Sequence, residues 1–400
     1  MNKIQKNTLR HCPICGEESG EILHTQNFVL PDGHPLAEGY DVVCCDRCGF
    51  VYADTTVSQK DYDIFYAKLS KYEDNKTSTG GADSPYDAQR LRGTAECIAE
   101  FLPDKNLRIL DIGCANGGLL GYLKELGYSN LYGIDPSPAC VENTNRNYGI
   151  DASIGSLFQL PQNIGKFDVI TLSHVLEHVQ DLSGALNNLK NLLNQNGFLY
   201  VEVPDSERYL EFYVSPFHYF DTEHINHFSL VFLDKLLKSS GFIPAHQGKK
   251  EFNIHHQITY PGVWIIAQFL DIVNQQKKAE LLNLDLRDHI NEYIHHSISD
   301  LDLSVIDEIV AKQEPIIIWS VGSSTMRLLA NSDLSKANIV AFFDSNPKYW
   351  GDSLIGKNII SLEELKKTDG VIFVTSKMYA KEIIDQIRGE LCLRNKIVTF

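Results

Sequence analysis

The sequence has no apolar run long enough for a membrane and no surplus of positive charge. Its longest strongly apolar segment, Val263–Val273, is broken by Gln268 and Asp271. It falls well short of the roughly 20 residues that a membrane span needs. The first ten residues, Met1–Arg10, contain no apolar core of the secretory type. These two absences lead to the expectation of a soluble, cytoplasmic protein with no membrane partner. Lys and Arg total 36 against 52 Asp and Glu, a net charge of −16. That balance argues against sequence-independent nucleic-acid binding, which requires a basic surface. The nine cysteines lack the spacing of a secreted disulfide framework: five fall before residue 49, and Cys97, Cys114, Cys140 and Cys392 are scattered. The remaining composition is ordinary for a globular protein, 43% hydrophobic and 22% charged. At about 150 residues per domain, 400 residues predict two or three domains.

The clustered cysteines form two CxxC knuckles, Cys12-Pro-Ile-Cys15-Gly16 and Cys45-Asp-Arg-Cys48-Gly49. Each places two thiolates on one tight turn, and the following glycine lets the backbone turn back. Two such knuckles complete a tetrahedral, closed site for structural zinc (Zn2+) with Cys12, Cys15, Cys45 and Cys48 as ligands. The alternative is a pair of redox dithiols, which normally occur singly beside a βαβ unit. Cys44 is a spare neighbour, because only Cys45 has the CxxC spacing to Cys48.

Residues 61–95 read as a polar linker and loop leading into a helix over Tyr86–Phe101. An apolar strand then ends in an acid and a glycine-rich turn, Leu107-Arg-Ile-Leu-Asp111-Ile-Gly113-Cys114-Ala-Asn116-Gly117-Gly118, before a further helix. A second strand, Leu131–Asp135, ends in an acid 24 residues later. This is a βαβ unit with a close backbone approach to a ligand and a carboxylate for ribose hydroxyls. The acid ahead of Gly113 would repel a pyrophosphate and attract a cation. The turn resembles motif I of class I S-adenosylmethionine-dependent methyltransferases, and the later segments follow that family's order: Asp151–Leu157, a fourth strand at Phe167–His174 and a fifth at Asn196–Pro204. The resemblance implies that Asp111, Gly113 and Gly117 hold the amino-acid end of the cofactor and Asp135 its ribose. Ser156 and Leu157 would sit at the adenine, with Cys114, Asn116, Pro136, Ser173 and His174 completing the pocket. His174-Val-Leu-Glu177-His178 also fits the HxxEH pattern of a zinc protease. Its position directly after the fourth strand makes a wall of the cofactor pocket the better reading, with His174 or Glu177 facing the cofactor.

A dense titratable stretch, His218-Tyr219-Phe-Asp-Thr222-Glu223-His224-Ile-Asn-His227-Phe-Ser229, follows the fifth strand and precedes an amphipathic helix, Leu230–Ser239. Glu223 beside His224 is an arrangement that general-base chemistry uses. Metal binding through His224 and His227, and a loop with no catalytic role, are the competing readings.

Residues 245–312 read as a helical connector, with helical spacing in Val263–Val273 and Leu301–Val310. Beyond them, Pro315–Trp319, Gly322 and a helix, then Ile339–Asp344 and Gly370–Thr375, describe a second, smaller Rossmann-like unit. In sum, the sequence predicts an α/β protein with a class I methyltransferase Rossmann-like core, an N-terminal zinc-binding module and a second C-terminal Rossmann-like α/β domain. The boundaries are 1–60, 61–245, 246–312 and 313–400. Over nearly the whole chain this order resembles the sugar C-methyltransferases of deoxysugar pathways. The resemblance implies a nucleotide-linked 4-keto-deoxysugar as the small-molecule substrate and a Tyr-Glu-His element as the base. Here that element reads Thr222-Glu223-His224, so the tyrosine is absent, with Tyr219 three residues earlier. The family also uses a tyrosine ahead of motif I, for which Tyr72 and Tyr86 are the candidates. Its Gly-Ala-Gly turn in the C-terminal unit is replaced by Val321-Gly322-Ser323-Ser324-Thr325, which leaves that unit a structural and substrate-gripping role. Two rival readings stand beside carbon methylation: an O- or N-methyltransferase acting on a sugar or small metabolite, and a non-catalytic scaffold. The oligomeric state is left open.

Overall fold

The computed structural model describes residues 4–69, 81–82, 84–255, 258–270 and 285–400. The chain opens with β1 (Ile4–Asn7), β2 (Ser19–Asn27), β3 (Gly39–Cys45) and β4 (Val51–Asp54), followed by α1 (Gln59–Leu69) and α2 (Pro85–Phe101). An alternating series comes next: β5 (Arg108–Ile112), α3 (Gly118–Glu125), β6 (Asn130–Asp135), α4 (Pro138–Tyr148), β7 (Asp151–Ile154), β8 (Phe167–Ser173), α5 (Leu182–Leu192) and β9 (Leu193–Pro204). After a long loop come β10 (Asn226–His227), α6 (Leu230–Ser239), β11 (Phe242–His255) and β12 (Ile258–Phe269). The remainder holds α7 (Arg287–Ser299), α8 (Ser304–Lys312), β13 (Ile316–Trp319), α9 (Ser323–Asn331), β14 (Ile339–Phe343), β15 (Ser353–Leu354), β16 (Lys357–Ile360), α10 (Leu362–Leu365), β17 (Val371–Val374), α11 (Ala380–Asp385) and β18 (Ile397–Thr399).

Two units result. The first comprises Met1–Leu23, Val42–Phe212 and Glu223–Asn291, the second His24–Asp41, Tyr213–Thr222 and Glu292–Phe400.

The central sheet of the first unit has the order β11-β12-β9-β8-β5-β6-β7. Strands β5 to β9 run parallel, and β12 lies antiparallel between β9 and β11. Its core packs Leu91 and Ile98 of α2 and Leu119 and Leu123 of α3 against Ile109, Val169, Tyr200 and Ile266 of the sheet. Side chains buried on a parallel sheet of this kind come from near-continuous apolar runs, as in Phe198–Val203.

The helical reading of residues 246–312 is corrected in its first half. Residues 242–255 and 258–269 form the antiparallel pair β11 and β12 of the central sheet, and among the described residues of this span only α7 and α8 are helical. The run Val263–Phe269 is apolar on nearly every residue, so its periodicity does not separate a buried strand from a buried helix. Residues 61–69 also belong to helix α1 and not to a linker.

The second unit contains its own sheet, β15-β16-β14-β13-β17-β18, with β13 parallel to both β14 and β17. Alternate residues of β13 feed two cores. Ile316 and Ile318 pack with Leu328 and Phe342, while Ile317 and Trp319 pack with Phe343 and Val374.

The N-terminal strands form a third sheet, β1-β2-β3-β4-β10, in which β10 pairs with β4 through Asn226↔Tyr52 and His227↔Val51. Arg10 secures this junction. Its guanidinium, 4% exposed, donates to the carbonyls of Ile225 (3.2 Å), Val179 (3.3 Å) and Gln180 (2.7 Å) and to Asn226 Oδ1 (2.9 Å). Its backbone N–H donates to Asp54 at 2.7 Å. Asn226 in turn donates to the carbonyls of Leu176 and Val179, each at 2.8 Å. Burial draws the Arg10 guanidinium down to about 10, against the opposing pull of Tyr62 and Tyr52. Substituting Arg10→Met strips donors from three buried carbonyls. A loss of about 2–4 kcal/mol is expected in urea unfolding, and a loss below about 0.5 kcal/mol would contradict the clamp.

Candidate active site

In the central sheet, the order reverses at β5, which has β6 on one side and β8 on the other. Ligands of open α/β sheets bind outside the carboxyl ends of the strands at such a switch point. The turn leaving β5 is shaped for close approach. Gly113 and Gly117 hold φ of 77° and 82°, conformations that favour glycine. An added Cβ would lie 2.8 Å from the Val175 side chain at Gly113 and 2.8 Å from Thr144 at Gly117. Asp111, at the end of β5, accepts from the Thr171 hydroxyl at 2.6 Å. Burial pushes its carboxyl up to about 7; the Thr171 hydrogen bond opposes this and Asp135 adds to it. Asp135 ends β6 and accepts the N–H groups of Ala115 and Ser137, each at 2.9 Å.

The other expected cofactor residues sit on the same turns. Cys114 is buried, Pro136 is half-buried beside Asp135, and Asn116 is buried and accepts from Asn143 at 2.9 Å. Ser156 accepts the N–H groups of Phe158 and Gln159, and its hydroxyl lies 3.4 Å from Asp63 of α1. Leu157 is buried. Ser173 ends β8, and its hydroxyl is buried with no hydrogen-bond partner among the described residues.

His174 follows β8 with φ of 57°. Its two ring nitrogens each meet a carboxylate at 3.1 Å, Nδ1 to Glu177 and Nε2 to Glu202. Burial opposes its charge, but the two carboxylates prevail and hold its pKa above the usual value. Glu202, fully buried on β9, is bound on its other oxygen by Lys250 (2.5 Å), Tyr200 (2.5 Å) and Thr94 (3.1 Å). Burial alone would raise the Glu202 pKa; Lys250 and His174 outweigh it and hold the carboxyl well below the ordinary range. With both nitrogens so engaged, His174 does not act with His178 as an HxxEH chelate.

Glu223 and His224 enter this region on the loop held by Arg10. The Glu223 side chain accepts from the Tyr66 hydroxyl at 3.1 Å, and its carbonyl lies 3.0 Å from His178 Nδ1. The His178 and His224 rings have centroids 4.9 Å apart, and Tyr66 stands edge-on to His178 at 5.8 Å. Glu177, His178 and His224 bring their donor atoms within 4.8 Å of one another.

The expected helpers are placed differently. Tyr86 lies 6.2 Å, centroid to centroid, from His255. Tyr219 belongs to the second unit, edge-on to Tyr293, whose hydroxyl accepts the Tyr219 N–H at 3.1 Å. Tyr72 lies outside the described residues. His227 is buried in β10 with Nδ1 3.2 Å from the Tyr209 hydroxyl, and it is not a member of the group that His224 joins with Glu177 and His178. Ser229 occupies the N-cap of α6 without a side-chain cap bond. Sequence reasoning missed Tyr66, His178, Glu202 and Lys250. For Tyr66 a signal existed: Tyr62, Phe65, Tyr66 and Leu69 follow helical spacing.

The two cysteine knuckles face each other. Cys12 and Cys48 sulfurs are 3.6 Å apart, Cys15 and Cys45 sulfurs 3.5 Å, and all four lie within 4.8 Å. Gly16 and Gly49 N–H groups donate back to the carbonyls of Cys12 and Cys45. Cys44 stands apart, its sulfur 3.6 Å from Asp285 and 3.7 Å from Arg287.

Residues 86–247 match the family model described as a methyltransferase domain, and residues 312–398 match one described as C2185-like, N-terminal. A ubiquinone biosynthesis O-methyltransferase from Azorhizobium caulinodans is 33% identical over 104 residues, covering 25% of this chain and 41% of the relative. A trans-aconitate 2-methyltransferase from Enterobacter is 29% identical over 128 residues, covering 30% and 48%. The chain thus spans less than half the length of these curated relatives. A solved S-adenosylmethionine-dependent methyltransferase from Methanosarcina mazei is 21% identical, with a TM-score of 0.37 over 44% of this chain and 97% of that one. The central segment, residues 86–247, is a methyltransferase domain.

Proposed function

We propose that the chain methylates a carbon α to the ketone of a nucleotide-linked keto-deoxysugar, with His224 as the general base. The observation that carries this reading is the meeting of Glu223 and His224 with Tyr66 and His178, on a loop clamped to the segment that follows β8. S-adenosylmethionine, when bound, supplies an electrophilic methyl group. The residues present fit it: two acids suit an ammonium group and ribose hydroxyls, and the two positive-φ glycines leave room for close approach. Asp111 would hold the amino-acid end and Asp135 the ribose.

His224 takes the α-proton of the acceptor. The C–H electron pair moves toward the carbonyl oxygen and leaves an enolate, with the proton on the imidazole. Glu223, anchored by the Tyr66 hydroxyl, precedes His224 in the chain and so restrains the backbone that carries the base. The loop clamp keeps the base in place, and such placement supplies much of the rate in a reaction of this kind.

A second reading, O-methylation of a hydroxyl by the same base, draws on the likeness to the ubiquinone biosynthesis O-methyltransferase and on Thr222 at the expected tyrosine position. Solvent deuterium exchange at the sugar α-carbon without methyl donor separates the two. Wild-type protein is expected to exchange, and His224→Ala to lose exchange and about 10²–10⁴-fold in turnover. Exchange retained in His224→Ala would remove the base assignment.

Cofactor affinity should depend on pH. An ammonium group beside Asp111 favours its ionised form, so binding below pH 7 must first drive off a proton. Calorimetry is expected to show affinity falling toward tenfold per pH unit below that point, with Asp111→Asn weaker overall and flat. A flat wild-type profile would exclude the coupling.

The four-cysteine cluster is the place for zinc. Bonds of about 2.3 Å in a tetrahedron separate the sulfurs by about 3.8 Å, close to the 3.5 and 3.6 Å pairs here. Strong chelation is expected to release one zinc per chain and lower the melting temperature by about 10 °C. Metal analysis finding no bound zinc would refute the site.

A further inference from the structure

We infer that Glu177, His178 and His224 form a second metal site, for a first-row divalent cation such as zinc or cobalt, separate from the four-cysteine cluster. Glu177 is 1% exposed. One of its oxygens pairs with His174, and the other, Oε2, is buried with no hydrogen-bond partner among the described residues. A buried carboxylate oxygen left this way loses its hydration without compensation, and a cation supplies it.

The histidine beside it is set for ligation. His178 Nδ1 lies 3.0 Å from the Glu223 carbonyl, which can only accept, so the neutral ring carries its proton on Nδ1 and its lone pair on Nε2. That Nε2 is 3.9 Å from Glu177 Oε1, too far for a hydrogen bond. A ligating histidine typically donates its other N–H to a carbonyl or carboxylate in this manner. Glu177 is oriented likewise, through His174 and then Glu202.

His224 completes the set, and all three donors lie within 4.8 Å. Metal bonds of about 2.1 Å place tetrahedral ligands about 3.4 Å apart, so the side chains swing inward by about an ångström on loading. Two imidazoles and one carboxylate, with positions left for outside ligands, are a donor set of borderline divalent metals. The HxxEH element thus contributes its glutamate and its second histidine, with His224 arriving from another loop in place of His174.

A neutral imidazole has one lone pair. If His224 is the general base, as proposed above, a bound cation and a proton compete for that lone pair, and the metal switches the base off.

The test uses the full chain with its cysteine cluster already holding one equivalent of zinc. Cobalt(II) titration is expected to show a further equivalent binding with d–d absorption and no thiolate charge-transfer band. His178→Ala and His224→Ala, checked for folding by circular dichroism and for retained S-adenosylmethionine binding, are expected to weaken it by at least about 100-fold. That exceeds the roughly 10–100-fold that loss of an outer partner costs. Glu177→Gln should do the same. No further equivalent, or equal affinity in all three variants, would overturn the site. Cobalt that binds at this site without slowing wild-type turnover would leave the site standing and remove His224 as the base.

Discussion

A buried hydrogen-bond clamp holds the chemistry together. Arg10 and Asn226 between them occupy the carbonyls of Leu176, Val179, Gln180 and Ile225. Those carbonyls lie on the two segments that carry Glu177 and His178 on one side and Glu223 and His224 on the other. Ile225 N–H donates across to the Glu177 carbonyl at 2.9 Å, closing the seam. Loops that carry reactive groups ordinarily have freedom. Here the carbonyls of Val179 and Gln180 accept from Arg10, more than 160 residues away in sequence. Arg10 lies two residues before Cys12, in the bend between β1 and the first cysteine knuckle. The clamp thus ties the stretch beside the first cysteine knuckle to the loop that carries His224.

Behind the pocket, a line of charges runs Glu177–His174–Glu202–Lys250. Each carboxylate has a cationic or hydrogen-bonding partner, which is the condition under which buried charge is tolerated. The chain of pairs also fixes the ring of His174, a residue held at positive φ directly after β8. Strain of that sort persists when neighbours over-determine it, and two carboxylates gripping one imidazole do so. Lys250 comes from β11, so the hairpin that completes the sheet also neutralises its deepest acid.

The parts legible in the sequence are those whose function is local. The Asp111–Gly117 turn needs its acid and glycines within seven residues, and the CxxC knuckles each need four. Both were readable because backbone geometry over a short span dictates the residue types. Tyr66, His178 and Lys250 were not readable in their roles, because each depends on a contact made across the fold. Lys250 was further hidden by reading residues 246–312 as helical, when it lies on strand β11. The interleaving of the two units is likewise a long-range pairing that no local period records.

The acidic balance of the chain has a local counterpart. Asp111, Asp135, Glu177, Glu202 and Glu223 all gather near the carboxyl ends of β5 to β9 or on the loop clamped there. Two cations of this region are already committed: Lys250 to Glu202, and Arg90 to Asp87 at 2.8 Å. A cluster of this sign suits a cationic ligand group and disfavours a phosphate. It therefore sorts the two partners of the proposed reaction by charge. If the reaction is the one proposed, the cofactor's ammonium and sulfonium would belong at Asp111 and the reacting part of the acceptor would be its neutral sugar, with any diphosphate held away from these acids.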